Sequence, residues 1–95
     1  MSNEKVIRAF LEGHAGHTPT RDIINGVYVY KGQTLKTNGL ELINYSTRIA
    51  FKQDNKLYLN VGKYSVTTSK IQSKLRQLAI EYGYNDMTII NYEEA

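Results

Sequence analysis

The chain has 95 residues, a formal net charge of +3, two histidines and no cysteine. That length supports one modest hydrophobic core, and the lack of thiols excludes disulfides and thiolate metal centres and suits a reducing compartment. No apolar stretch approaches the ~20 residues that cross a bilayer, so no membrane role is expected.

Val6, Ile7, Phe10 and Leu11 fall on one side of a short helix that Asn3 caps, with Glu4 in its first turn and Gly13 just past its end. Residues 13–26, GHAGHTPTRDIING, are rich in turn formers and hold the only proline, and they read as a surface loop. VYVY at 27–30 suits a strand. Asn38-Gly39 is a strong hairpin signal. A two-residue loop there pairs Thr37 with Leu40, Lys36 with Glu41 and Leu35 with Leu42.

A second hairpin follows over residues 47–61. A loop of three, Gln53-Asp54-Asn55, pairs Phe51 with Leu57, Ile49 with Leu59 and Thr47 with Val61. This register gathers the apolar set on one face and leaves Arg48, Lys52, Lys56, Tyr58 and Asn60 around Ala50 on the other. From 67 to 82, Ile71, Leu75, Leu78 and Tyr82 form one stripe of an amphipathic helix that stops at Gly83. Thr67 is the preferred cap, with Val66 and Ile71 as a hydrophobic staple, and Ser69 with Gln72 is the competing capping box. The stripe is expected to pack on Ile49, Phe51, Leu57 and Leu59. MTIINY, 87–92, reads as a last strand able to cover Ile80, and residues 93–95 as a loose acidic tail. The architecture expected is a single α+β domain, an antiparallel sheet of about four or five strands with two helices.

Charge is unevenly spread. Residues 1–30 balance, whereas residues 31–76 carry nine Lys and Arg against Glu41 and Asp54, and residues 77–95 carry four acids and no base. Such segregation favours an anionic partner for the middle of the chain, or a match between its own parts. The stretch KYSVTTSKIQSKLR, 63–76, concentrates the relevant groups. Thr67, Thr68 and Ser69 place hydroxyls beside backbone N–H groups that lack partners inside the helix, with Lys63 and Lys70 on either side. Helix capping by itself accounts for one or two of those hydroxyls. Lys70 and Lys74, four apart, repel unless something negative lies near. Arg48 and Lys52 beside Tyr58 extend the basic track along a sheet face, a pattern suited to a single-stranded backbone; the alternative is that the first helix covers this face. Most of the eight tyrosines read as structural, and Tyr64, directly before the hydroxyl cluster, as part of the site.

No cofactor is expected. His14 and His17 have only Asp22 as a nearby carboxylate, too few donors for a metal. No nucleophile elbow or glycine-rich phosphate loop occurs, and the acids Glu41, Asp54 and Glu81 lie on separate elements, so catalysis is not expected.

The N-terminal VIRAFLEG, the central YSTRIA, and KLYLN followed by KYSVTTSK together resemble a group of small proteins encoded by bacteriophages and prophages, a domain family of unknown function. The likeness runs over residues 5–76 and is weakest from His14 to Gly26. It implies a phage or mobile-element origin and action in the host cytoplasm. The leading expectation is therefore a non-catalytic accessory protein that binds nucleic acid or a host nucleoprotein through Lys63, Tyr64, Thr67, Thr68, Ser69, Lys70 and Lys74, extended by Arg48 and Lys52. Four neutralised phosphates imply a log–log salt slope of roughly −3 to −4. Two alternatives remain open: an inhibitor of a host defence protein or complex, of anti-CRISPR or anti-restriction type, and a self-associating phage structural protein that pairs through an exposed strand edge.

Overall fold

A computed structural model describes residues 2–19, 21–30 and 34–93 of the chain. Helix α1 (Asn3–Glu12) is followed by strands β1 (Ala15–His17), β2 (Arg21–Ile24), β3 (Val27–Tyr30), β4 (Leu35–Asn38), β5 (Glu41–Asn44), β6 (Thr47–Gln53) and β7 (Lys56–Asn60). Helix α2 (Val66–Glu81) and strand β8 (Ile89–Tyr92) complete the order. Six strands form one sheet in the order β1-β4-β5-β6-β7-β8, while β2 and β3 pair only with each other. The result is a single α+β domain, with more strands than the four or five expected. The sheet is mixed: β8 runs parallel to β7, because α2 carries the chain back across the sheet as a crossover connection.

Both helices cover the same face of the sheet. α1 lies against β1, β4 and β5, α2 lies against β7, and the helices touch each other. Between helices and sheet sit Val6, Ile7, Phe10, Leu35, Leu42, Ile49, Leu57, Leu59, Ile71, Leu75 and Leu78, all buried. The first helix therefore does not cross the opposite face, which carries the half-exposed Arg48, Phe51, Tyr58, Ile90 and Tyr92.

Several local expectations shift. Ser2, not Asn3, caps α1, its hydroxyl accepting from the Lys5 amide. The segment read as a surface loop, 13–26, supplies edge strand β1, paired with β4 through Ala15↔Asn38, and then β2, which turns through Asn25-Gly26 into β3. Both turn residues have positive φ, the geometry of a type I′ hairpin. The Asn38-Gly39 hairpin forms two residues out of the expected register, with Leu35 opposite Asn44 and Thr37 opposite Leu42. The Asn38 side chain accepts from the Leu40 and Glu41 amides, so Asn38 precedes the loop and Gly39-Leu40 forms it. A two-residue shift preserves the faces, and Leu35, Thr37, Leu42 and Asn44 are all buried.

The second hairpin differs more. Its loop is Asp54-Asn55, both at positive φ, and Phe51 opposes Tyr58 while Lys52 opposes Leu57. A bulge against β5 reconciles this register with a buried Ile49: Leu42 faces Ala50, Ile43 faces Arg48, and Ile49 is the extra residue. Ile49 and Ala50 are both buried, and from there on Lys52 points under the helices while Phe51 faces out. Phe51 is thus not part of the surface on which α2 packs. α2 spans 66–81 rather than 67–82, Ile80 is exposed and uncovered by β8, and the last strand begins at 89. Glu93 is exposed, and Glu94 and Ala95 of the expected acidic tail lie outside the described residues. Among the described residues no helix is long and apolar enough to cross a membrane.

Candidate nucleic-acid interface

The connection from β7 to α2 is held by two buried asparagines. Asn60, 2 % exposed, donates from Nδ2 to the Arg48 carbonyl (3.0 Å) and to the Tyr64 hydroxyl (2.9 Å), and its Oδ1 accepts from the Gly62 amide (2.8 Å). Gln72 of α2 donates to the carbonyls of Asn60 (2.7 Å) and Gly62 (3.1 Å). Asn44 of β5 donates to the Thr34 carbonyl (2.8 Å) and accepts from the Thr68 hydroxyl (2.7 Å). Each bond satisfies a group that burial would otherwise leave unpaired. Helix start, connection and sheet end are therefore locked together.

This locking redistributes the nine residues expected to form the site. The helix cap is Ser65, accepting from the Thr68 amide at 3.3 Å, rather than Thr67. Thr68 is buried and turned inward, so it leaves the site. Lys52 also leaves it: its ammonium donates to the carbonyls of Phe10 and Leu11 at the C-terminal end of α1 and lies 4.9 Å from the centre of the Phe10 ring. There it serves the negative end of the helix dipole, and burial pulls its pKa below the ordinary lysine value. Lys74 Nζ sits 3.1 Å from Glu4 Oε1, so the negative group that relieves the Lys70–Lys74 repulsion belongs to the protein's own first helix. Arg48 is half-buried on the open sheet face, its guanidinium 4.2 Å over the Phe51 ring. Phe51 stacks on Tyr58 at 4.5 Å and meets Tyr92 edge-on at 5.3 Å. Lys63, Tyr64, Thr67, Ser69 and Lys70 remain exposed together around the start of α2.

Two open grooves run beside that cluster and share Ser69 and Ser73 as their common ridge. One, about 360 Å³, lies between α2 and residues 60–63 and holds Lys63 and Arg76. The other, about 480 Å³, lies on the far flank and is lined by Tyr64, Lys70 and Lys74 among others. Four cations line the pair, and among the described residues no carboxylate lines either one. Arg76, which also donates to Asn91 Oδ1 at 2.5 Å, and Ser73 were absent from the expected site. Their signal was present in the sequence, since 69, 73 and 76 and likewise 70, 74 and 77 follow one another at helical spacing on one flank.

The Glu4–Lys74 contact yields a pH prediction. The hydrogen bond from Lys74, then the charges of Lys74 and Arg8, hold the Glu4 carboxyl below its ordinary value. Its favourable contribution is present above the unfolded carboxylate pKa and is lost as pH falls through the lower folded value. In Lys74→Met the Glu4 pKa, followed by side-chain NMR, should rise toward the ordinary value with little change in overall stability because the pair is exposed. An unmoved pKa would show that Lys74 does not hold Glu4 in solution.

No protein-family model, curated protein or solved structure matches this chain.

Proposed function

We propose that this is a non-catalytic, phage-type accessory protein that binds nucleic acid along the flank of α2 in the host cytoplasm. The observation that carries this reading is the pair of grooves beside Ser69 and Ser73, lined by Lys63, Lys70, Lys74 and Arg76 and, among the described residues, by no acid. Ammonium and guanidinium groups next to hydroxyls suit phosphate oxygens, and contacts to the backbone position a strand without reading its sequence. Little sequence discrimination follows. With Lys74 engaged by Glu4, three cations remain for phosphates, and the log–log salt slope becomes roughly −2 to −3.

Fluorescence anisotropy with a labelled oligonucleotide over a salt series tests this. Replacing Lys63 and Lys70 together by alanine should flatten the slope by about 2. An oligonucleotide that stays unbound even at low salt would refute the reading.

Exposed apolar side chains at the same end of the molecule favour one rival. Tyr45 is 60 % exposed and Val66 74 % exposed, on the turn after β5 and in the first turn of α2. Such groups suit docking to a protein, as an inhibitor of a host defence complex would require. A pull-down from host lysate separates the two, because nucleic-acid binding recovers only nuclease-sensitive material, whereas the rival recovers a discrete protein that survives digestion.

A further inference from the structure

We infer that Tyr64 is a base-stacking platform, so that the α2 flank selects single-stranded over double-stranded nucleic acid; this rests on the nucleic-acid reading above. Tyr64 is 39 % exposed, yet the distal end of its side chain is held in place. Its hydroxyl accepts from the buried Asn60 at 2.9 Å. Its ring edge packs closely on Gly62, where an added Cβ would lie 3.0 Å from Asn60 Oδ1, 3.1 Å from the Tyr64 hydroxyl oxygen and 3.2 Å from its Cε2. A tyrosine fixed in this way loses little rotamer entropy when a ligand stacks on it.

The fixed ring shares a groove with Lys70, Ser69 and Ser73. Lys63, its neighbour in sequence, lines the adjoining groove. A ring set beside cations is the arrangement by which single strands are held, the bases on the aromatic surface and the phosphates on the cations. In a duplex the base faces are already covered by their neighbours, so only the backbone contacts remain available. Ser69 and Ser73 also repeat one helical turn apart, ~6 Å of axial rise, and carry backbone contacts along the flank without adding any base specificity. The site runs along the side of the helix from Val66 to Gln77, and the stacking needs no contact with the amides at the start of α2.

The test compares a labelled oligothymidine strand with the complementary duplex of equal length, at one low salt concentration, on four proteins. The unmodified protein should prefer the single strand. Tyr64→Ala should weaken single-strand binding roughly 10- to 100-fold and leave duplex binding unchanged. Tyr64→Phe loses the same bond to Asn60 but keeps the ring, so retained single-strand affinity in that variant assigns the effect to stacking rather than to the connection's structure. Gly62→Ala, whose Cβ makes the Tyr64 ring edge and Asn60 Oδ1 give way slightly, should weaken single-strand binding in the same direction but less than Tyr64→Ala does. Equal affinity for strand and duplex, or an equal loss on both in Tyr64→Ala, would overturn the inference while the charge-driven reading stands. Failure of every oligonucleotide to bind would remove both.

Discussion

Gly39→Ala is expected to destabilise the protein by about 2–5 kcal/mol, combining the cost of left-handed backbone in a non-glycine residue with that of overpacking. Gly39 has φ +95°, and a Cβ there would lie 2.7 Å from the Gly13 carbonyl oxygen and 2.9 Å from its carbon. The neighbour is backbone, at the end of α1, and that end is fixed: the Gly13 amide donates back to the helix, and β1 pairs with β4 two residues further on. No side chain can swing away to make room. A chain of this length commands roughly 5–14 kcal/mol in all, so the variant sacrifices a large part of it. Gly13→Ala is the control, since Gly13 also has positive φ, +84°, but nothing within 4 Å of an added Cβ. Urea denaturation should place its loss at about 1–2 kcal/mol. Equal losses for the two variants would mean that the hairpin tip and the helix end do not meet as described.

Asn60→Leu should cost about 2–4 kcal/mol, as expected when a buried polar group loses its partners. The substitution keeps the number and branching of the side-chain heavy atoms but removes two donated bonds and one accepted bond. Arg48 retains some satisfaction, since the Tyr92 hydroxyl also donates to its carbonyl at 3.1 Å. The Gly62 amide loses its acceptor, Asn60 Oδ1. Amide hydrogen exchange at Gly62 should therefore accelerate by more than the global loss of stability explains, because the connection opens locally. An unchanged protection factor at Gly62 would show that the connection is held by Gln72 alone. The same variant frees the Tyr64 hydroxyl, linking this structural bond to the stacking surface proposed above.

Much of this fold follows from local patterns. The stripe Ile71, Leu75, Leu78 identifies α2 to within one residue at either end, because helical periodicity and the stop at Gly83 are properties of the segment itself. Turn chemistry is equally informative. Asn25-Gly26 carries the same dipeptide as Asn38-Gly39, but its place in a glycine- and proline-containing stretch hid the hairpin that joins β2 to β3. At Asp54-Asn55 strict alternation points to a three-residue loop, whereas two residues at positive φ close the hairpin. A bulge at Ile49 changes the parity of β6 halfway along, and alternation assumes that parity never changes.

The site was harder to read for a different reason. A lysine or threonine looks the same in sequence whether solvent, a ligand or the protein's own backbone takes its hydrogen bonds. Thr68 finds Asn44, 24 residues away, Lys52 finds the carbonyl of Phe10, 42 away, and Lys74 finds Glu4 on the other helix. None of those partners leaves a local trace. Composition and periodicity alone established one α+β domain, its two helices and the excess of positive charge around the start of the second, since these depend on neighbours within a turn or a strand. Tertiary packing alone decided which of those charges stay available, because only the approach of distant segments determines whether a polar group is already satisfied.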